Sequence, residues 1–235
     1  MGNSWFQFQQ FRINQDRCAM KISTDAVLLG ALAEADEPKH ILDIGTGTGV
    51  IALMLAQRFS EAKIVAVELD EQAAMQAGEN FEHSRFSEQL SISHAAIQDF
   101  SVSNKFDLIV SNPPYFTAHL KGQLKERNQA LHTDTLSFEV LLSQVLRLLK
   151  DSARVWLILP PFESSVFQKL AREKNLFPRR IFSLKDNPNK QIHRELVEFT
   201  FEETDLKIFN ILIKNQDGSP NESYRNLVSG FLLNF

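Results

Sequence analysis

Asn112-Pro113-Pro114-Tyr115 follows the strand-like run Phe106-Asp107-Leu108-Ile109-Val110 and comes about 60 residues after the glycine-rich turn Asp43-Ile44-Gly45-Thr46-Gly47-Thr48-Gly49. At this spacing the two stretches point to transfer of a methyl group onto a planar amino nitrogen. Such a nitrogen, on adenine or in a carboxamide, is a poor nucleophile because its lone pair is delocalised into the adjoining ring or carbonyl. Two carbonyl oxygens that accept its two N–H bonds draw it toward tetrahedral geometry, and the Asn112 side chain with the Pro113 backbone carbonyl can supply both. These oxygens also face the positive charge that grows on nitrogen as a methyl group arrives from a sulfonium. Proline fixes its own φ, has no competing N–H and keeps the preceding residue out of the helical region, so Pro113 and Pro114 hold the carbonyls in place. Tyr115 offers a flat face for an extruded base, a contact worth about 1–3 kcal/mol. A general base is not needed before transfer. Taken alone, the same four residues also read as a strand-ending turn.

The upstream half reads as a nucleotide-binding crossover. His40-Ile41-Leu42-Asp43-Ile44 is a short apolar strand that runs into glycines and then into a helical pattern, the arrangement that places a ligand at a helix N-terminus. Gly45, Gly47 and Gly49 are spaced G-x-G-x-G, which departs from the dinucleotide fingerprint G-x-G-x-x-G. Asp43 stands two residues before the first glycine, where a carboxylate suits a zwitterionic amino-acid tail and repels a pyrophosphate. Glu68 ends a second strand 23 residues beyond Gly45 and is positioned to accept from both hydroxyls of a ribose. Asp99 follows a third strand and is the candidate acceptor for the amino group of the cofactor's adenine. Asp70 reads as the N-cap of a following helix and Asp107 as a structural strand residue.

These residues resemble class I methyltransferases that use S-adenosylmethionine, in the amino-methylating branch marked by N-P-P-Y. The opening run Phe6 to Ile13, the block Arg17-Cys18-Ala19-Met20-Lys21-Ile22-Ser23-Thr24-Asp25 through Ala31, and a tail around Tyr224 are similar to the bacterial valine tRNA adenine-N6 methyltransferases. That likeness runs along nearly the whole chain. It implies a doubly wound, seven-stranded, mostly parallel α/β sheet with its last strand antiparallel. It also implies S-adenosylmethionine as cofactor and the anticodon loop of valine tRNA as partner, modified at the adenosine 3′ of the anticodon. Under it, Lys21, Thr24 and Asp25 belong near the cofactor's methionine end or the site entrance. Thr24 reads equally as a helix N-cap. Methylation of a protein glutamine at N5, methylation of DNA adenine, and a catalytically silent RNA-binding protein with this fold stay open as alternatives. The glycine spacing and Asp43 oppose a NAD-dependent oxidoreductase.

The elements that must position these residues alternate. Strands are expected at 40–44, 63–67, 90–94, 106–110, 154–159, 179–184 and 195–203. Helices are expected near 24–34, 49–58, 71–83, 137–149, 163–174 and 222–235, with a turn over 215–221. The connection 116–136 is long enough for a binding loop, and it carries Lys121, Lys125 and Arg127. We expect one domain over 1–235, with 1–39 an extension to a cofactor-binding and catalytic core at 40–235. With 43% hydrophobic and 23% charged residues the chain can bury a full core. No apolar run nears the 18 or so residues of a membrane span, which places the protein in the cytoplasm. The lone cysteine, Cys18, excludes an internal disulfide and reads as a small buried residue, and six scattered histidines show no metal-ligand spacing. Net charge is −4, but unevenly spread: residues 40–110 hold four Lys or Arg against ten Asp or Glu, and 160–195 hold eight against four. The latter run, Lys169, Arg172, Lys174, Arg179, Arg180, Lys185, Lys190 and Arg194, is a candidate RNA-backbone track.

Overall fold

A computed structural model of the chain describes residues 3–18, 20–114 and 136–233. A hairpin, β1 (Trp5–Gln7) and β2 (Arg12–Asn14), precedes helix α1 (Thr24–Leu32). The chain then alternates through β3 (His40–Ile44), α2 (Val50–Arg58), β4 (Lys63–Glu68), α3 (Glu71–Glu82), β5 (Leu90–His94) and β6 (Phe106–Ser111). After residue 136 come α4 (Phe138–Leu148), β7 (Leu149–Leu159), α5 (Pro161–Arg172), β8 (Phe177–Lys185), β9 (Ile192–Thr200), β10 (Lys207–Leu212) and α6 (Glu222–Val228).

The main sheet runs β10-β8-β9-β7-β6-β3-β4-β5. Only β9 is antiparallel to its neighbours, β7 and β8. The seven expected strands are all present, and β9, the last of them in sequence, is the reversed one. The count of seven needs correcting to eight, because β10 pairs in parallel with β8 and widens the sheet at one edge. Side chains alternate across the sheet. Ile41, Trp156 and Ile158 face the α1, α2, α6 and hairpin layer, while Leu42, Ile44, Val155 and Leu157 face the α4 and α5 layer. Asp43 therefore points toward α2, which is buried from Val50 to Ala56. Helices α1 and α2 approach closely at Gly30, where a Cβ would stand 2.8 Å from the Met54 sulfur.

Capping residues set the helix starts. Ser23 accepts from the Ala26 amide and caps α1, so Thr24 is the first helical residue rather than the cap. Asp70 caps α3 by accepting from Ala73 at 2.8 Å, as expected. Asp107 is structural: it accepts from the Lys39 and His40 amides and from the Lys150 ammonium. Cys18 is half-buried.

Candidate active site

The switch point of the sheet lies between β3 and β6, where the order turns from β4 and β5 on one side to β7 on the other. Ligands bind at the carboxyl ends of the strands at such points. A cleft of about 320 Å³ opens there, formed by Ile44 and Gly45 at the end of β3, Val67 to Leu69 at the end of β4, residues 95–99 after β5, and Ser111, Pro113 and Pro114 at the end of β6. The two motifs thus reach one cleft: Glu68 and Asp99 line it from one side and the proline pair from the other.

The glycine turn is built from positive-φ positions, Gly45 (φ 72°), Gly47 (56°) and Gly49 (85°). A Cβ at Gly45 would meet nothing within 4 Å, so this backbone faces open cleft. Gly49 caps α2 with no side chain, and a Cβ there would lie 2.4 Å from Cε1 of Phe81. Glu68 holds the turn in place: Oε2 accepts from the Gly47 amide at 2.8 Å, and Oε1 from the Leu69 and Asp70 amides at 2.9 and 3.0 Å. Asp43 lies fully buried behind it. Its Oδ2 accepts from the Thr46 hydroxyl at 2.6 Å, while Oδ1 has no hydrogen-bond partner among the described residues. Burial pushes the Asp43 carboxyl up to about 7, the Glu68 charge adds to this, and the Thr46 hydroxyl opposes it. Across the switch point the Ser111 hydroxyl donates to the Ile44 carbonyl at 2.8 Å and ties the end of β6 to the end of β3.

The sequence-expected residues divide as follows. Gly45, Glu68, Asp99 and Pro113 line the cleft. Asn112 is half-buried between the cleft-lining Ser111 and Pro113, and Gly47 sits under Glu68. Asp43 is in the turn's foundation rather than on the cleft wall. Lys21 and Thr24 are exposed and outside the cleft lining; the Lys21 ammonium donates to the Asn3 carbonyl, and Asp25 pairs with Arg194 at 2.6 Å. Tyr115, Lys121, Lys125, Arg127 and all but the last residue of the connection 116–136 lie outside the described residues. The sequence reading missed the apolar walls, Leu69, Ile97 and Leu136. Their only signal is adjacency, since Leu69 follows Glu68 and Ile97 precedes Asp99 by two.

The basic run of 160–195 does not form one surface. β8 runs parallel to β7, so Lys185 and the following turn with Lys190 and Arg194 stand at the carboxyl end of the sheet, the same end as the cleft but separated from β6 by β9 and β7. Arg172, Arg179 and Arg180 lie toward the opposite end. There Arg179 and Arg180, with Arg154, converge on the buried Glu198, and Arg180 also pairs with Glu34 at 2.7 Å.

A cofactor with an adenosine and an amino-acid tail fits this arrangement, given the open glycine backbone and the Glu68 and Asp99 carboxylates lining the cleft. Among the described residues no helix is long and apolar enough to cross a membrane, and no cluster of three or more His, Cys, Asp or Glu could hold a metal ion.

Comparison with known proteins converges on the same chemistry. The methyltransferase small domain family matches residues 22–133. The tRNA1(Val) (adenine(37)-N6)-methyltransferase of Pedobacter heparinus is 42% identical over 230 residues, covering 98% of this chain and 98% of that protein. The protein of the same name from Christiangramia forsetii is 40% identical over 238 residues, covering 99% of each. In fold, the crystal structure of a predicted O-methyltransferase from Agrobacterium tumefaciens matches with a TM-score of 0.66 at 17% identity, over 90% of this chain and 100% of that one. The chain therefore belongs to the tRNA1(Val) (adenine(37)-N6)-methyltransferase family, within the methyltransferases that depend on S-adenosylmethionine.

Proposed function

We propose that this protein methylates N6 of the adenosine 3′ of the anticodon in valine tRNA, in the cytoplasm, as a single domain with 1–39 an extension to the core 40–235. The observation that carries the reading is one cleft lined by Glu68 and Asp99 on one side and by Pro113 and Pro114 on the other. When bound, S-adenosylmethionine supplies an electrophilic methyl group. Gly45 and Gly47 admit its backbone-close portion, Glu68 accepts from the ribose hydroxyls with the lone pairs its three amide bonds leave, and Asp99 accepts from the adenine. Leu69 and Ile97 exclude water from the ring. Asp43 acts from behind the turn, fixing Thr46 and with it the course of the glycine backbone, with Lys21 and Thr24 at the entrance.

For the target base, the Asn112 side chain and the Pro113 carbonyl accept the two N6 hydrogens, and Tyr115 supplies the stacking face. Holding both hydrogens favours a pyramidal nitrogen whose lone pair is available, and the same two oxygens stabilise the ammonium-like transition state in a low-dielectric cleft. The proton leaves after transfer, when the nitrogen is strongly acidic, so no side-chain base is required. An unpaired anticodon-loop base is cheap to extrude, which suits a chain whose described site holds no duplex-opening wedge.

The test is incubation with labelled S-adenosylmethionine and valine tRNA transcript beside total DNA and release-factor protein, with digestion to identify the product. N6-methyladenosine in the valine anticodon loop is expected; label confined to protein or DNA contradicts the assignment. Asn112→Ala should lower turnover on the order of a hundredfold or more while leaving S-adenosylhomocysteine affinity nearly intact.

A further inference from the structure

The N-terminal hairpin has two unlike faces. Its inner face packs on the core: Phe8 and Ile13 are 0% exposed, Phe11 is 4% exposed, and Phe8 stacks on Phe11 at 4.5 Å, with Phe6 at the margin, 38% exposed. The strands pair Trp5 with Asn14 and Gln7 with Arg12, which puts Trp5, Gln7, Arg12 and Asn14 on the other face. There Trp5 is 44% exposed, and the Arg12 guanidinium lies 4.2 Å from its ring centroid. No carboxylate among the described residues pairs with Arg12. Residues 1–22 carry Arg12, Arg17 and Lys21 against one acid, Asp16, in a chain whose net charge is −4.

This face is also rigidly joined to the cofactor turn. The Asn80 side chain of α3 accepts from the Asn14 amide at 2.9 Å and donates both to the Asn14 carbonyl at 3.0 Å and to the Thr48 carbonyl at 2.9 Å. Farther on, Gln76 accepts from the Arg17 amide, and the Cys18 sulfur stands 3.9 Å from where a Cβ on Gly47 would be. An exposed indole on a rigid two-stranded base, with a cation stacked on it and the Lys21 ammonium held at the Asn3 carbonyl two residues before it, matches the chemistry of single-stranded nucleic-acid platforms: aromatic faces take bases and cationic groups take phosphates. Arg17, by contrast, pairs with Glu79 of α3.

Building on the proposed RNA substrate, we infer that the outer face of β1–β2 is a second RNA contact, in which Trp5 and Arg12 stack an unpaired nucleotide of the substrate while Lys21 meets its phosphate. The contact lies outside the cleft and adds affinity for a single-stranded loop without touching the target nitrogen. Because Asn80 spans hairpin and glycine turn, RNA seated on the hairpin rests on the same support as the cofactor.

The wild-type protein carries its own reporter. It has two tryptophans, and Trp156 is 0% exposed, so the iodide-quenchable emission comes from Trp5. Titration with unmodified valine tRNA or its anticodon stem-loop should quench that emission and protect it from iodide, and a fully paired RNA duplex should do neither. In steady-state methylation, Trp5→Ala with Arg12→Gln should raise KM for RNA roughly tenfold, Trp5→Phe should recover most of that, and S-adenosylhomocysteine affinity should stay within about twofold of wild type. Unchanged iodide accessibility on saturation with an RNA that the wild type methylates overturns the inference even if the double variant fails to fold. So does a KM within twofold for a folded double variant. If the wild type methylates no RNA, the functional reading itself fails, and this contact falls with it.

Discussion

Burial holds the Asp43 carboxyl protonated up to about pH 7, so its ionisation works against the fold. An unfolded chain releases that proton near 3.8, the ordinary value, whereas the native state keeps it to about 7. Across that window the native state binds the extra proton, and stability falls as pH rises, levelling above 7. At about 1.36 kcal/mol per pH unit, the interval from 3.8 to about 7 amounts to ~4 kcal/mol, of which ~3 kcal/mol develops between pH 5 and pH 8. Asp43→Asn removes the ionisation while its carbonyl oxygen can still accept from Thr46, and its amide takes the place of the unpartnered Oδ1. Any packing penalty of the amide is the same at both pH values and cancels in the comparison. Urea unfolding of wild type and variant at pH 5 and pH 8 should show the variant gaining ~3 kcal/mol on the wild type at the higher pH. A variant-minus-wild-type difference that stays constant within about 1 kcal/mol over that range would refute the assignment of a raised carboxyl.

Three further outcomes rest on packing. Gly49→Ala places a Cβ 2.4 Å from Phe81 at a φ of 85°; left-handed strain and overpacking together should destabilise the protein by about 2–5 kcal/mol in urea unfolding and weaken S-adenosylhomocysteine binding in a thermal-shift titration. Glu198→Gln leaves Arg154, Arg179 and Arg180 without their buried counter-charge and should lower stability by about 3–5 kcal/mol, with methyl transfer kept by the molecules still folded at 20 °C. Asn80→Ala deletes three hydrogen bonds joining hairpin and glycine turn; calorimetry should show weaker S-adenosylhomocysteine binding, and hydrogen exchange should rise at residues 12–17.

Much of this architecture was legible in the chain because the central strands are nearly continuous apolar runs ended by glycine or an acid. β3 and β5 begin and end where the pattern places them. The hairpin escaped notice because each of its strands has three residues, too few for alternation to register. β10 escaped because its Lys-Ile-Phe-Asn-Ile-Leu run follows a polar stretch and stays exposed over its first four residues. Ser23 and Thr24 are both good caps one residue apart, and only the observed bond to Ala26 separates them. For the site, the acids at strand ends could be found by position, but Asp43 could not be told from a direct ligand, since burial belongs to the assembled sheet and α2. The linear basic run misled for a related reason: Arg180 and Lys185 lie on one strand, yet Lys185 ends it while Arg180 sits back in mid-strand, turned to Glu34 and the buried Glu198.

The hairpin's attachments also order events in time. Gln9 reaches the far end of the chain, its side chain donating to the carbonyls of Ser229 and Leu232, and its amide to that of Phe231. The hairpin is therefore anchored by a segment 220 residues farther along the chain. Until that stretch docks, Phe8 lacks its partner Leu232. Contacts of such long sequence separation form late. The folding chain can thus complete β3 to β6 and their cleft well before the hairpin locks over the glycine turn.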